Sequence, residues 1–296
     1  MSAKKATTIE EQIALLKSRG MNIRDDVKAK EILSDIGYFR LGFYFFPFEK
    51  SYPRLTCRTH EYKAGSYFED AVALYYFDYD LRNMLSRYIT RIEIALRTYI
   101  VLFMSCKYKD TPAWFVNPRI VDAAYVRSFD GVYENIKKNP VIRRHHRKYP
   151  EDRYASAWKT VEYMTLGSVL KLYQSLAILE DKRDISRHFG INQTAVFESY
   201  METVRFLRNT CAHGGVLWDL AIPKRIGNGP AGRFSGREMH NLFGAIAVVK
   251  YLLGQISVHR LEDMEKELDT VFQRIMAKAP KLSAILRERT GFAVVA

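Results

Sequence analysis

The chain has 296 residues, 48% of them apolar, so it can bury a sizeable core and is not a disordered segment. Lys and Arg number 46 against 33 acids, a net charge of +13. That points to a polyanionic partner, with nucleic acid ahead of an anionic membrane surface or an inert basic surface. The three scattered cysteines form no CxxC pair, and Cys57 with His60 makes only a lone CxxH, so no metal or other cofactor is expected. MSAKKATTIEEQ lacks an apolar leader. The most apolar stretch, 242–258, is shorter than a bilayer span and carries Lys250. A cytoplasmic chain with no membrane partner is expected.

Helical spacing dominates and no run of alternating strands occurs, so the expected fold class is all-α. TIEEQIALLKSR, 8–19, opens on Thr8 with acids in its first turn, repeats Ile9, Ile13 and Leu16, and stops at Gly20. A second helix is predicted over 25–36. GYFRLGFYFFPF, 37–48, holds seven aromatic residues between Tyr38 and Phe48. It is read as a hydrophobic plug; stacking on RNA bases, with Arg40 among the rings, is the alternative. The longest pattern, 67–105, puts Ile89, Ile92, Leu96 and Ile100 on one face. Glu93 and Arg97, four apart, adjoin on its surface. TPAWFVNPRI, 111–120, reads as a loop anchored by its Trp, with a helix predicted over 120–138.

KKNPVIRRHHRKYP follows. Residues 137–148 contain six Lys or Arg, two His and no acid. The run is read as a loop that is either a solvated face or a phosphate contact. Its candidate RNA-binding residues are Lys137, Lys138, Arg143, Arg144, His145, His146, Arg147 and Lys148. Helical pieces are predicted over 156–179, meeting near Gly167, then over 181–189 and 194–213. The stretch 221–237 has four basic residues, four glycines, two prolines and no acid. It reads as a flexible basic loop that adds Lys224, Arg225 and Arg233 to the RNA-binding set. Helices over 238–257 and 260–277 and a short one after Pro280 complete the chain. The expected division is a helical N-terminal extension with the aromatic segment, 1–60, and a helical domain, 61–296.

The 194–213 helix carries an apolar stripe of Phe197, Tyr200, Met201, Val204, Leu207 and Cys211 and ends in RFLRNTCAHGG. An Arg a few residues before a His says little by itself. Arg54 with His60, Arg183 with His188 and Arg233 with His240 pass the same test as Arg208 with His213. Asn209 and His213, four apart, share a helix face, and Gly214 and Gly215 are a credible helix stop. His213 would then lie at a helix C-terminus, where the dipole favours imidazolium and proton exchange near neutral pH. From spacing alone, a capping His with an Asn partner is the slightly favoured reading.

RFLRNTCAHGGVLWD resembles the R-N-x-C-A-H…L-W segment of the AbiD/AbiF-type abortive-infection proteins of the HEPN superfamily. GYFRLGFYFFPF, RIEIALRTYI, the run from Trp158 to Leu176 and ISRHFGI resemble further segments of that family, in the same order. The resemblance implies a HEPN-type helical bundle with a small helical extension. It also implies a role in phage defence and metal-independent endoribonuclease chemistry. On it, Arg208, Asn209 and His213 would be catalytic, and Glu93 and Arg97 supporting. It implies RNA as partner, as substrate or as a companion non-coding RNA, and a homodimer that supplies a second His. A stable ribonucleoprotein without nuclease activity is the alternative. Family members commonly carry a basic residue after the motif His and then R-L-W-N. Here Gly214 and Gly215 follow His213, and Asp219 takes the Asn position.

Overall fold

In the computed structural model, residues 5–54, 56 and 58–292 are described; Cys57, and with it the CxxH reading, lies outside them. The fold is all-α. Thirteen α-helices, several short 3-10 turns and four isolated β-bridges make up its regular structure among the described residues. No helix among them is long and apolar enough to cross a membrane.

The helices are α1 (Ile9–Ser18), α2 (Asp26–Ile36), α3 (Tyr38–Phe45), α4 (Phe68–Lys107), α5 (Ala123–Ile136), α6 (Pro140–Lys148), α7 (Ala157–Thr160), α8 (Leu166–Gln174), α9 (Leu179–His188), α10 (Thr194–Ala212), α11 (Leu242–Ile256), α12 (Val258–Lys278) and α13 (Ser283–Thr290). Local chemistry sets several boundaries. Thr8 and Glu11 form a reciprocal capping box on α1. Asp25, Asp122, Thr165 and Asn241 each cap a following helix with a side-chain oxygen.

Two units emerge from the contacts. The first comprises residues 1–84, 214–220 and 266–296, the second 85–213 and 221–265. In the first, α1 packs on α2 and α2 on α3. Most of the aromatic segment is core: Leu41, Tyr44, Phe45, Phe46 and Phe48 are buried, while Phe39 and Phe43 face out. In the second, α10 packs against α8, α9 and α11. Its whole predicted stripe, Phe197 to Cys211, is buried, each large side chain contributing about 1.5–3 kcal/mol. Ile89, Ile92, Leu96 and Ile100 are fully buried on α4.

Two expectations change. The basic run is not a loop but helix α6. Asn139 accepts from the Val141 N–H, Pro140 takes the first turn, where its missing donor costs nothing, and Ile142 and His145 are buried. The stretch 221–237 is not free to move as a loop. Ile222 and Ile226 donate to the carbonyls of His240 and Met239, and the Gly227 and Ala231 N–H groups donate to Ser199 and Tyr200. Ile222, Ile226 and Phe234 are buried beneath it.

Candidate functional site

Helix α10 ends where its glycines require. His213 is the last residue near helical geometry, its N–H bonded to the Asn209 carbonyl at 3.0 Å. Gly214 then adopts φ +65°, the left-handed turn that favours glycine. Arg208 and His213 are exposed, and Asn209 is half-buried.

Glu93 of α4 links the arginines. One oxygen accepts from Arg97 at 2.9 Å, and the other lies 3.8 Å from the Arg208 Nε. Arg97 also donates to the Met164 carbonyl at 3.0 Å, so its guanidinium is held from two sides. Arg208 donates to the Asn209 side-chain oxygen at 3.3 Å. The expected pairing of Asn209 with His213 is not what the amide does: it meets the arginine. The structure therefore brings Arg208, Asn209, Glu93 and Arg97 together.

The other Arg–His pairs separate from this one. His60 contacts buried Glu49 at 3.1 Å. His188 stacks on Tyr99 with ring centroids 3.4 Å apart, its pKa lowered by burial, while Arg183 pairs with Glu180. His240 bonds the Ile222 carbonyl at 2.8 Å. The basic-run histidines are engaged too, His146 with Tyr133 and His145 with Lys159. Burial, and then the Lys159 charge, hold the His145 pKa below its ordinary value. Among the described residues, the His213 ring makes no hydrogen bond, ion pair or ring contact.

Of the other candidates, Lys137, Arg143, Arg144, His146 and Arg147 line one groove. Lys224 lies 3.8 Å from Glu202, and Arg225 and Arg233 are exposed on the pinned loop. Arg40 of α3 sits against Gly214, where any Cβ would meet its guanidinium. No group of His, Cys, Asp and Glu able to hold a metal exists among the described residues.

The chain after the glycines is fastened by residues that sequence reasoning passed over. Asp78, fully buried, accepts from the Leu217 and Trp218 N–H groups, both at 2.8 Å, and from the Tyr44 hydroxyl at 3.1 Å. Burial pushes its carboxyl up to about 6, against the pull of those donors and of Arg82. Arg82 donates to the Gly215 carbonyl at 3.1 Å and to Tyr44 at 3.3 Å. The four-residue spacing of Asp78 and Arg82 was the signal available. Asp219 pairs with Arg289 at 3.4 Å.

A family model described as Abi-like protein matches residues 31–219. The chain belongs to the Abi-like protein family. The matched span includes α3, the Glu93–Arg97 turn of α4, all of α10 and the Trp218–Asp219 end of the motif segment. No curated protein and no solved structure matches this family member.

Proposed function

We propose that this Abi-like chain acts in abortive infection against phage as a HEPN-type, metal-independent endoribonuclease. The observation that supports it is His213: an exposed imidazole without a partner among the described residues, five residues from an exposed arginine that a carboxylate and an amide steady. In the proposed reaction a ribose 2′-hydroxyl attacks the adjacent phosphorus. The 5′-oxygen leaves, giving a 2′,3′-cyclic phosphate and a 5′-hydroxyl. One group takes the hydroxyl proton, another returns a proton to the leaving oxygen, and a cation carries the phosphorane charge. His213 serves as base or acid, and Arg208 faces the phosphate oxygens, a task its planar fork suits. Glu93 and Asn209 set the Arg208 orientation, and Arg97 holds Glu93. One such His per chain makes a homodimer the simplest source of base and acid together.

A second reading is a ribonucleoprotein that holds a companion non-coding RNA without cutting it. Gly214 and Gly215 favour it, because no cation side chain follows His213. The test is RNA cleavage in EDTA. Cleavage that falls at least about 100-fold in His213→Ala supports the nuclease. RNA left intact by both proteins, together with nucleic acid that copurifies with the chain, supports the ribonucleoprotein.

A further inference from the structure

Helix α6 and the residues flanking it line an open groove of about 1000 Å³. We propose that this groove docks the sugar-phosphate backbone of double-stranded RNA, as a site separate from Arg208 and His213. It rests on RNA being the partner, as above.

Charge comes first. Lys137, Arg143, Arg144, Arg147 and Arg153 line the groove against a single carboxylate, Asp152. Lys137 and Arg153 already pair with Glu134 and Asp130. Arg143, Arg144 and Arg147 are exposed and have no carboxylate partner among the described residues. Arg143 with Arg147, and Arg144 with Lys148, are like charges four apart on one helix, an arrangement that destabilises an isolated helix. A multivalent anion laid along the helix reverses that repulsion.

The base of the groove is rigid. Ile142 and His145 anchor α6 in the core. The Tyr133 hydroxyl accepts from the Ala155 N–H at 2.6 Å and meets the His146 Nε2 at 2.8 Å, tying the helix to the segment across from it. Arg143 and Arg147 therefore stand one turn apart on a fixed helix, with Arg144 beside them.

The lining selects the form of RNA. Unpaired strands are gripped by aromatic platforms on which bases stack; no Phe, Tyr or Trp lines this groove, and its one aromatic ring, half-buried His146, is bonded to the Tyr133 hydroxyl at 2.8 Å. The exposed Tyr149 lies outside the lining, with the Lys148 ammonium 5.3 Å and the His145 ring 5.1 Å from its centroid. What remains is contact with phosphates and sugars, the means by which duplex RNA is recognised. The groove is also far larger than one phosphate needs.

The test is fluorescence anisotropy of the full chain with a blunt RNA duplex and with an unpaired pyrimidine oligonucleotide of equal length. The duplex is expected to bind more tightly. Arg143→Gln with Arg147→Gln is expected to weaken duplex binding at least about tenfold and to lower its log–log salt slope by about 2. Unchanged helical circular dichroism shows that the double variant folds. Duplex affinity unaffected by the double variant overturns the proposal, as does equal binding of the unpaired strand. Displacement of the duplex by inorganic polyphosphate at matched charge also overturns it, leaving a general anion site. Failure of the nuclease reading looks different. A wild type that cuts no RNA, yet whose duplex binding is lost in the double variant, removes the chemistry and keeps the dock.

Discussion

The arginines of this protein fall into two kinds. Arg82 and Arg97 are nearly buried and held from several sides, Arg82 by Asp78, Tyr44 and a backbone carbonyl, Arg97 by Glu93 and the Met164 carbonyl. Arg143, Arg144 and Arg147 on α6 stand in solvent without carboxylate partners among the described residues. A held guanidinium has given its charge to the fold and serves to position its neighbours. An unheld one keeps its charge for a partner. Arg208 lies between these extremes: exposed, yet steadied by Asn209 and near Glu93. That suits a group that must meet a phosphate in one defined pose.

Substitutions sharpen this contrast. The largest effect is expected at Asp78. Asp78→Ala leaves two backbone donors and nearly buried Arg82 without their acceptor and should cost about 3–5 kcal/mol in urea unfolding. The same carboxyl has a pH signature. Its folded pKa, about 6, lies above the ordinary value of 3.8. The folded state therefore binds the proton more tightly. This contribution is full below about pH 4 and is lost as pH rises through 6. Asp78→Asn should flatten that slope. Next comes Glu93→Ala, which strips Arg97 of its mostly buried partner and should cost about 3 kcal/mol. Glu93→Gln keeps an acceptor and should fold well but lose cleavage through Arg208. Full activity in Glu93→Gln would remove Glu93 from the site. The smallest effect belongs to α6. Arg147→Ala should leave stability unchanged or raise it by about 0.2–0.5 kcal/mol, because it removes a repulsion. A loss above about 1 kcal/mol would mean that α6 arginines are structural after all, and the contrast would fail.

Helix positions are legible in the sequence because burial is periodic. The stripe of α10 and the α4 face are 3.6-residue patterns whose members all reach the core. The capping Thr8 and the stop at Gly214 are legible because they act on their own backbone neighbours. α6 reads as a loop because charge density hides a helix whose buried anchors number only two, apolar Ile142 and polar His145. Its Asn-Pro start is a cap rather than a break, and that is the signal that reveals it. The meeting of Arg208 with Glu93 joins positions 115 apart in sequence, and the bond from Leu217 to Asp78 spans 139. No local pattern encodes such pairs. The site's residue types are visible in the sequence, and the partners that orient them are not.

Position 214 carries a last consequence, one for substitution. Any side chain placed there must adopt a left-handed backbone and displace the tip of the Arg40 side chain. The backbone strain is the lasting obstacle, because the Arg40 guanidinium is the far end of a flexible side chain and can swing aside. Gly214 and Arg40, 174 residues apart in sequence, are neighbours in the fold, so substitutions at the two positions should couple.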